Sequence, residues 1–260
     1  MIDTKSAGMI LFRPRSWRRV FRFGIFAIIA ALSPSTYNAQ ARELAIRQVY
    51  FTAWQILPGY SVVAALFSLL LIQAVVVNAE KYGVTQYSLE MVLEVLVLEV
   101  VPLMTALYVA LRSGAAICTE IALMAVRGEL EDKEEAGASP LHAELVPRIA
   151  GAALSVAALT SLGCVIAVVL SYIEFYGWTP AGQQEFALII ARVFDGPELG
   201  VFVLKCLFFG VAVAVIPAAA GLEAERNEIK SLPGVVLGGL LKLFLAIMVV
   251  EAATLVVKYV

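Results

Sequence analysis

Charge is scarce in this chain. Lys, Arg, Asp and Glu together make up 15% of its 260 residues, 61% of the residues are hydrophobic, and mean hydropathy is +0.89. A net charge of −2 gives no global basic field, which argues against nucleic acid as a partner. The single histidine, His142, lies in a polar loop without convergent ligands, so no metal site is expected. The three cysteines, Cys118, Cys164 and Cys206, fall in separate apolar segments with no metal-ligand spacing and read as small buried residues rather than a disulfide framework. No G-x-S-x-G, H-E-x-x-H or Walker A lysine motif occurs, nor an intramembrane Asp pair, so neither an intramembrane enzyme nor an ATPase is indicated. No internal repeat is visible, and with it goes the inverted symmetry that an ion-coupled secondary transporter would favour.

What the chain does have is a row of apolar runs, each about as long as a membrane-spanning helix. Soluble domains sit near about 45–50% apolar composition, and a chain this apolar cannot hide its surface from water in one domain. In lipid every backbone N–H and C=O needs an internal partner, which helices supply. The expected fold is an all-α integral membrane protein with an N-terminal amphipathic interfacial helix and five transmembrane helices. Residues 1–44 form the N-terminal segment and 45–260 the membrane domain, with spans at about 54–78, 87–112, 149–173, 198–221 and 234–257. The apolar stretch that starts at Tyr87 runs on to Met124, too long for one straight span, so the helix either extends out of the membrane or breaks near Pro102 or Gly114. At the N-terminus, Arg13, Arg15, Arg18, Arg19 and Arg22 alternate with Phe12, Trp17, Phe21 and Phe23. That pattern is unlike a secretory signal and fits a helix lying along the membrane surface, with a disordered tail as the alternative. Basic residues concentrate in the N-terminal arm, the 127–148 loop and the 223–231 loop, which predicts a cytoplasmic N-terminus and a periplasmic C-terminus.

Charges inside apolar runs each need a reason, since one at the bilayer centre costs about 2.5–3.5 kcal/mol on insertion scales. Glu90 and Glu94 precede Glu99, which lies about 14 Å deeper than Glu90 at 1.5 Å per residue. Glu90 falls at the outer interface and is given no role. Two readings of Glu99 remain open: a carboxylate on a substrate path, or a structural acid bonded to a neighbouring helix. Arg112 and Glu120 are read as a structural pair near the cytoplasmic end, although eight residues give only fair geometry. Lys205 and Lys242 can each partner an acid such as Glu99 or Glu251, or snorkel to an interface.

Several pieces resemble, in order, the permease subunits of MCE-type lipid ABC transporters, the MlaE/YrbE family. RQVYFTAWQILP (47–58) is similar to the family's RQLYFIG-x-x-SLP, and Gln73 followed by Tyr82-Gly83 to its Q-G…[FY]-G. LEVVPLMTALYVALRSGAAICTEIALM (98–124) resembles RELGPVLTAL-x-x-AGR-x-GSA-x-x-AE-x-G-x-M, with Glu99, Pro102, Thr105-Ala106, Arg112, Gly114, Glu120 and Met124 on matching positions. Gly137, Pro140 and Leu145-Val146-Pro147-Arg148 follow at the family spacing. FVLKCLFFG (202–210) resembles LIKS-x-x-FG with Lys205 on the family lysine, and Glu251 falls on the acidic position of the last span.

The resemblance implies a permease that moves phospholipid or a related lipid between the inner membrane and a periplasmic MCE-domain protein. The expected partners are a cytoplasmic ABC ATPase, which would hold ATP and Mg on its own chain, the MCE protein, and a second permease chain, the same or a sister. This chain itself would carry no cofactor. Lipid would meet Glu99, Tyr82, Gln73, Leu98 and Pro102, and the segment 113–148 would couple to the ATPase through Arg127, Gly128, Glu129, Leu130 and Glu131. Some positions depart from the pattern. Leu98 replaces the arginine beside Glu99, Arg127-Gly128-Glu129-Leu130 stands where the family has T-E-Q-[IL], and the 223–231 loop lacks the usual glycines. These departures fit a divergent branch, one half of a heteromeric pair that supports assembly, or plain drift of surface loops.

Overall fold

In the computed structural model, residues 14–33, 39–83, 87–135, 145–224 and 232–259 are described. His142, Gly137 and Pro140, the turn at Pro34-Ser35 and most of the 223–231 loop lie outside them, as do Arg13 and the side chains of Arg15 and Arg19. The described residues are helical throughout, with no strand among them. Helix α1 spans Pro14–Leu32 and α2 spans Ala39–Val49. A π-helical turn, Tyr50–Trp54, links α2 to α3, Leu57–Tyr82. Helix α4 runs unbroken from Ser88 to Arg127, and the short acidic α5 covers Glu129–Glu135. Then come α6 (Val146–Tyr176), α7 (Gln183–Val193), α8 (Gly196–Gly221) and α9 (Leu232–Tyr259). Five helical stretches are long and apolar enough to cross a membrane: 42–82, 88–127, 146–176, 196–221 and 232–258.

The ends are set by local chemistry. Pro58, Pro147 and Pro197 sit in the first turn of α3, α6 and α8, where the missing N–H costs nothing. Asp195 caps α8 by accepting from the Gly196 N–H at 2.7 Å. Gly83 and Gly128 close α3 and α4 in the left-handed region, at φ 70° and 76°.

The long second stretch neither breaks at Pro102 nor at Gly114; it extends. Its backbone shifts instead to π-helical hydrogen bonding over Leu93–Val100 and Ala110–Gly114. Proline has no N–H to give the carbonyl four residues back, and a π stretch is one way for a helix to absorb that loss. Cys164 Sγ, from α6, also donates to the Val97 carbonyl at 3.8 Å.

Helix α8 is the hub. It packs on α9, on α6, on the second half of α4 and on α1. The central core joins Tyr60, Val109, Leu159, Phe209, Leu243 and Ile247. Tyr60 is fully buried; Thr105 donates to the Val101 carbonyl at 2.7 Å, so Tyr60 must donate to the Thr105 oxygen, 2.6 Å away. Helix α1 lays Val20, Ala27 and Ala30 on the bundle and exposes Phe21, Ile25, Phe26 and Ile29. Its outward face thus carries Arg18 and Arg22 near the start and is apolar beyond them, as for a helix in contact with lipid. The division at 44/45 falls inside α2, which packs on α6 as a continuation of the first long stretch.

Candidate functional site

Membrane helices carry few charges, so the place where they converge is the natural candidate. Helices α4, α8 and α9 bring five of them together in the half of the bundle nearer Tyr82. Lys205, 1% exposed, donates to Glu99 and lies 2.9 Å from the Glu251 carboxylate. Lys258 lies 2.9 Å from Glu94 and 3.4 Å from Glu99. Three carboxylates thus share two ammonium groups. The π stretch explains how Glu94 and Glu99 reach one lysine. In an α-helix residues five apart face away from each other, whereas i→i+5 bonding returns the fifth residue to nearly the same side. The mid-span acid is therefore compensated by neighbouring helices.

A crevice of about 10 Å³ adjoins this cluster, bordered by Leu98, Glu99, Glu198, Phe202, Lys205 and Lys258. It has room for about one water, not for a lipid headgroup. Among the described residues, Oε2 of Glu198, beside the crevice, is buried without a hydrogen-bond partner, while Oε2 of Glu251 faces the Lys205 ammonium at 2.9 Å. Of the residues expected to meet lipid, Leu98 and Pro102 are buried in the chain's own packing. Gln73 and Tyr82 are exposed on α3, Tyr82 at 80%. The single chain does not bring them into contact with Glu99.

Several other pairings differ from expectation. Arg112 and Glu120 form no ion pair among the described residues; both are exposed. Eight residues advance about 12 Å along a helix, and the π turn at Ala110–Gly114 changes the register further. Lys242, also 1% exposed, pairs at 3.0 Å with Glu223 at the opposite end of the bundle, away from Glu99 and Glu251. Glu90, given no role, meets Arg192 of α7 at 3.6 Å. The Glu94–Lys258 contact also went unread, because 164 positions separate its partners and a lysine at the chain end gives no periodic signal. Cys118 is buried, while Cys164 and Cys206 are half-buried and free.

At the other end, α2 and the π turn after it stand off from the last turns of α4. They enclose a cavity of about 740 Å³ with the start of α6. Of the expected coupling residues, Arg127 and Glu129 line this cavity, Gly128 forms the left-handed cap, and Leu130 packs on the apolar cluster that includes Ile117 and Ile121. Glu131 is exposed on α5, and residues 136–144 of the coupling segment lie outside the described set.

Two comparisons with known proteins bear on these features. A family model described as Permease MlaE matches residues 45–257, which takes in all five long stretches but not α1. No curated protein matches the chain.

Proposed function

The chain belongs to the MlaE permease family, and from that premise we propose that it is the membrane subunit of an ABC transporter for phospholipid or a closely related lipid. The observation that carries this reading is the family match across residues 45–257. Lipid would pass between the inner membrane and a periplasmic MCE-domain protein, driven by ATP hydrolysis on a cytoplasmic partner chain. A second permease chain, the same or a sister, would complete the lipid chamber.

The residues support specific roles in such a chamber. Gln73 and Tyr82 on the exposed face of α3 are free to meet lipid or a partner chain. Glu99 would act at the rim. Its bond to Lys205 is sealed, but the contact with Lys258 is long at 3.4 Å, so that is the bond a charged headgroup would replace. Lipid binding then changes the pairing of the fifth span with the second. A switch between open and collapsed chambers requires the lipid to bind the two states unequally, and a bond exchanged in one state alone supplies such a difference.

The test is mass spectrometry of the complex purified in mild detergent. The expected result is an ATPase chain, an MCE-domain chain and retained phospholipid. Recovery of the chain with neither an ATPase nor lipid would overturn the reading. Within the complex, the near-isosteric Glu99→Gln is expected to reduce lipid transfer while the chains still co-purify; wild-type transfer would remove Glu99 from the mechanism.

A further inference from the structure

The cavity of about 740 Å³ between α2 and α4 has a charged lining of Arg47, Arg112, Arg127 and Arg148 against Glu120 and Glu129. Four guanidinium groups thus face two carboxylates. Arg112 and Arg47 use little of their donor capacity inside the chain. Arg112 has no ion pair or hydrogen bond among the described residues. Arg47 rests on the Phe51 ring at 5.7 Å. Arg127 meets Glu129 at 3.5 Å between exposed side chains, a contact of small worth. Arg148 donates to the Met124 sulfur at 3.1 Å, a weak acceptor, besides its other contacts.

The rest of the lining is half apolar, with Leu44, Phe51, Ile117 and Leu123. Depth is fixed by the same turn of helix. Tyr50 and Trp54 are exposed beside it, Trp54 at 67%, just before the apolar stretch of α3 begins at Leu57. Exposed aromatics at the start of a span mark the headgroup level of a bilayer. Arginines in excess of acids at that level, with Arg112 and Arg47 unpaired by any carboxylate among the described residues and an apolar wall beside them, match a lipid whose phosphate is charged and whose first acyl carbons are not.

We propose that this cavity seats the headgroup of an anionic phospholipid from the adjacent leaflet, with its phosphate between Arg112 and Arg47 and its glycerol end against Phe51 and Leu123. The site lies at the opposite end of the bundle from the Glu99 cluster and does not depend on the transport reading. Free phosphate offers the same oxygens but nothing for the apolar wall. An acidic segment of a partner protein is the remaining anion, and the apolar wall of Leu44, Phe51, Ile117 and Leu123 favours lipid over it.

The experiment is native mass spectrometry of the full chain, with any partners it purifies with, titrated in detergent with phosphatidylglycerol, phosphatidylcholine or inorganic phosphate. Wild-type protein is expected to retain one phosphatidylglycerol in preference to phosphatidylcholine. Arg112→Gln is expected to weaken that retention about tenfold, the size of losing one charge-assisted hydrogen-bond pair. Arg112→Lys is expected to recover part of it, and Arg18→Gln, an exposed arginine of α1 outside the cavity, to leave it unchanged. Thermal unfolding reports whether each variant folds; should Arg112→Gln not fold, Arg47→Gln serves the same comparison. Equal retention of the two lipids, equal weakening by Arg18→Gln, or phosphate binding as tight as that of phosphatidylglycerol would each overturn the proposal. So would a partner chain that cross-links to position 112 and excludes the lipid.

Discussion

Lys205 illustrates how a single residue in this chain is held by its partners. It is sealed from solvent and compensates both Glu99 and Glu251. Removing one member of a buried charge set strands the others, at about 3–5 kcal/mol. Lys205→Ala is therefore expected to lower the unfolding temperature in detergent sharply, and Lys205→Met combined with Glu251→Gln to cost less than the two single changes summed. A Lys205→Ala melt within a degree or so of wild type would show that the cluster contributes nothing to stability. The sequence marks Glu99, Lys205 and Glu251 as out of place in apolar runs, so the members of the cluster are legible. Their pairing is not. Partners 106 and 46 positions apart share no helical period, and the same logic that linked Lys205 to Glu99 also admitted Lys242, which in fact holds Glu223.

At the level of elements, the helices were easier to read than their interiors. Prolines near 58, 147 and 197 and the glycines at 83 and 128 mark ends within a few residues of those found. The π stretches left no sequence signature beyond Pro102, yet they decide which acids share a face. Helix contacts rest on a few small residues, and these give sharp tests. A Cβ at Gly151 would stand 2.8 Å from the Ala45 carbonyl, where backbone would have to move. Gly151→Ala is thus expected to prise α2 from α6 and destabilise by about 1–3 kcal/mol. A Cβ at Gly163 would meet the Tyr60 hydroxyl at 2.2 Å, so Gly163→Ala is expected to displace Tyr60 and break its bond to Thr105 at a similar cost. Gly200, with nothing within 4 Å of its Cβ position, is the control: Gly200→Ala should be neutral or stabilise α8 by about 0.5–1 kcal/mol. Thermal unfolding of the three variants separates these outcomes. Equal melting for Gly151→Ala and Gly200→Ala would refute the close approach of α2 and α6.

For the whole molecule, five crossings put the two ends of the membrane domain on opposite faces. The bias of lysine and arginine toward the N-terminal arm and the 127–148 and 223–231 loops predicts which face is which. Cysteines introduced at Glu131 and at Trp178 should label from opposite sides of sealed vesicles, with Trp178 and the C-terminus on the periplasmic side; the reverse pattern would invert the orientation. The chain's class and span number were legible because bilayer thickness leaves few alternatives. The proposed chamber was not, since a site shared between copies would leave only half of its walls in one sequence. The charge cluster has a further bearing on how the protein is made. Its members are spread from position 94 to position 258, so a nascent chain that has released four crossings holds Lys205 with Glu99 alone, while Glu251 and Lys258 are still in the ribosome. The cluster is therefore complete only once the fifth crossing has been made, and a premature stop ahead of position 251 should yield a product that the cell's membrane proteases remove rather than a shorter working subunit.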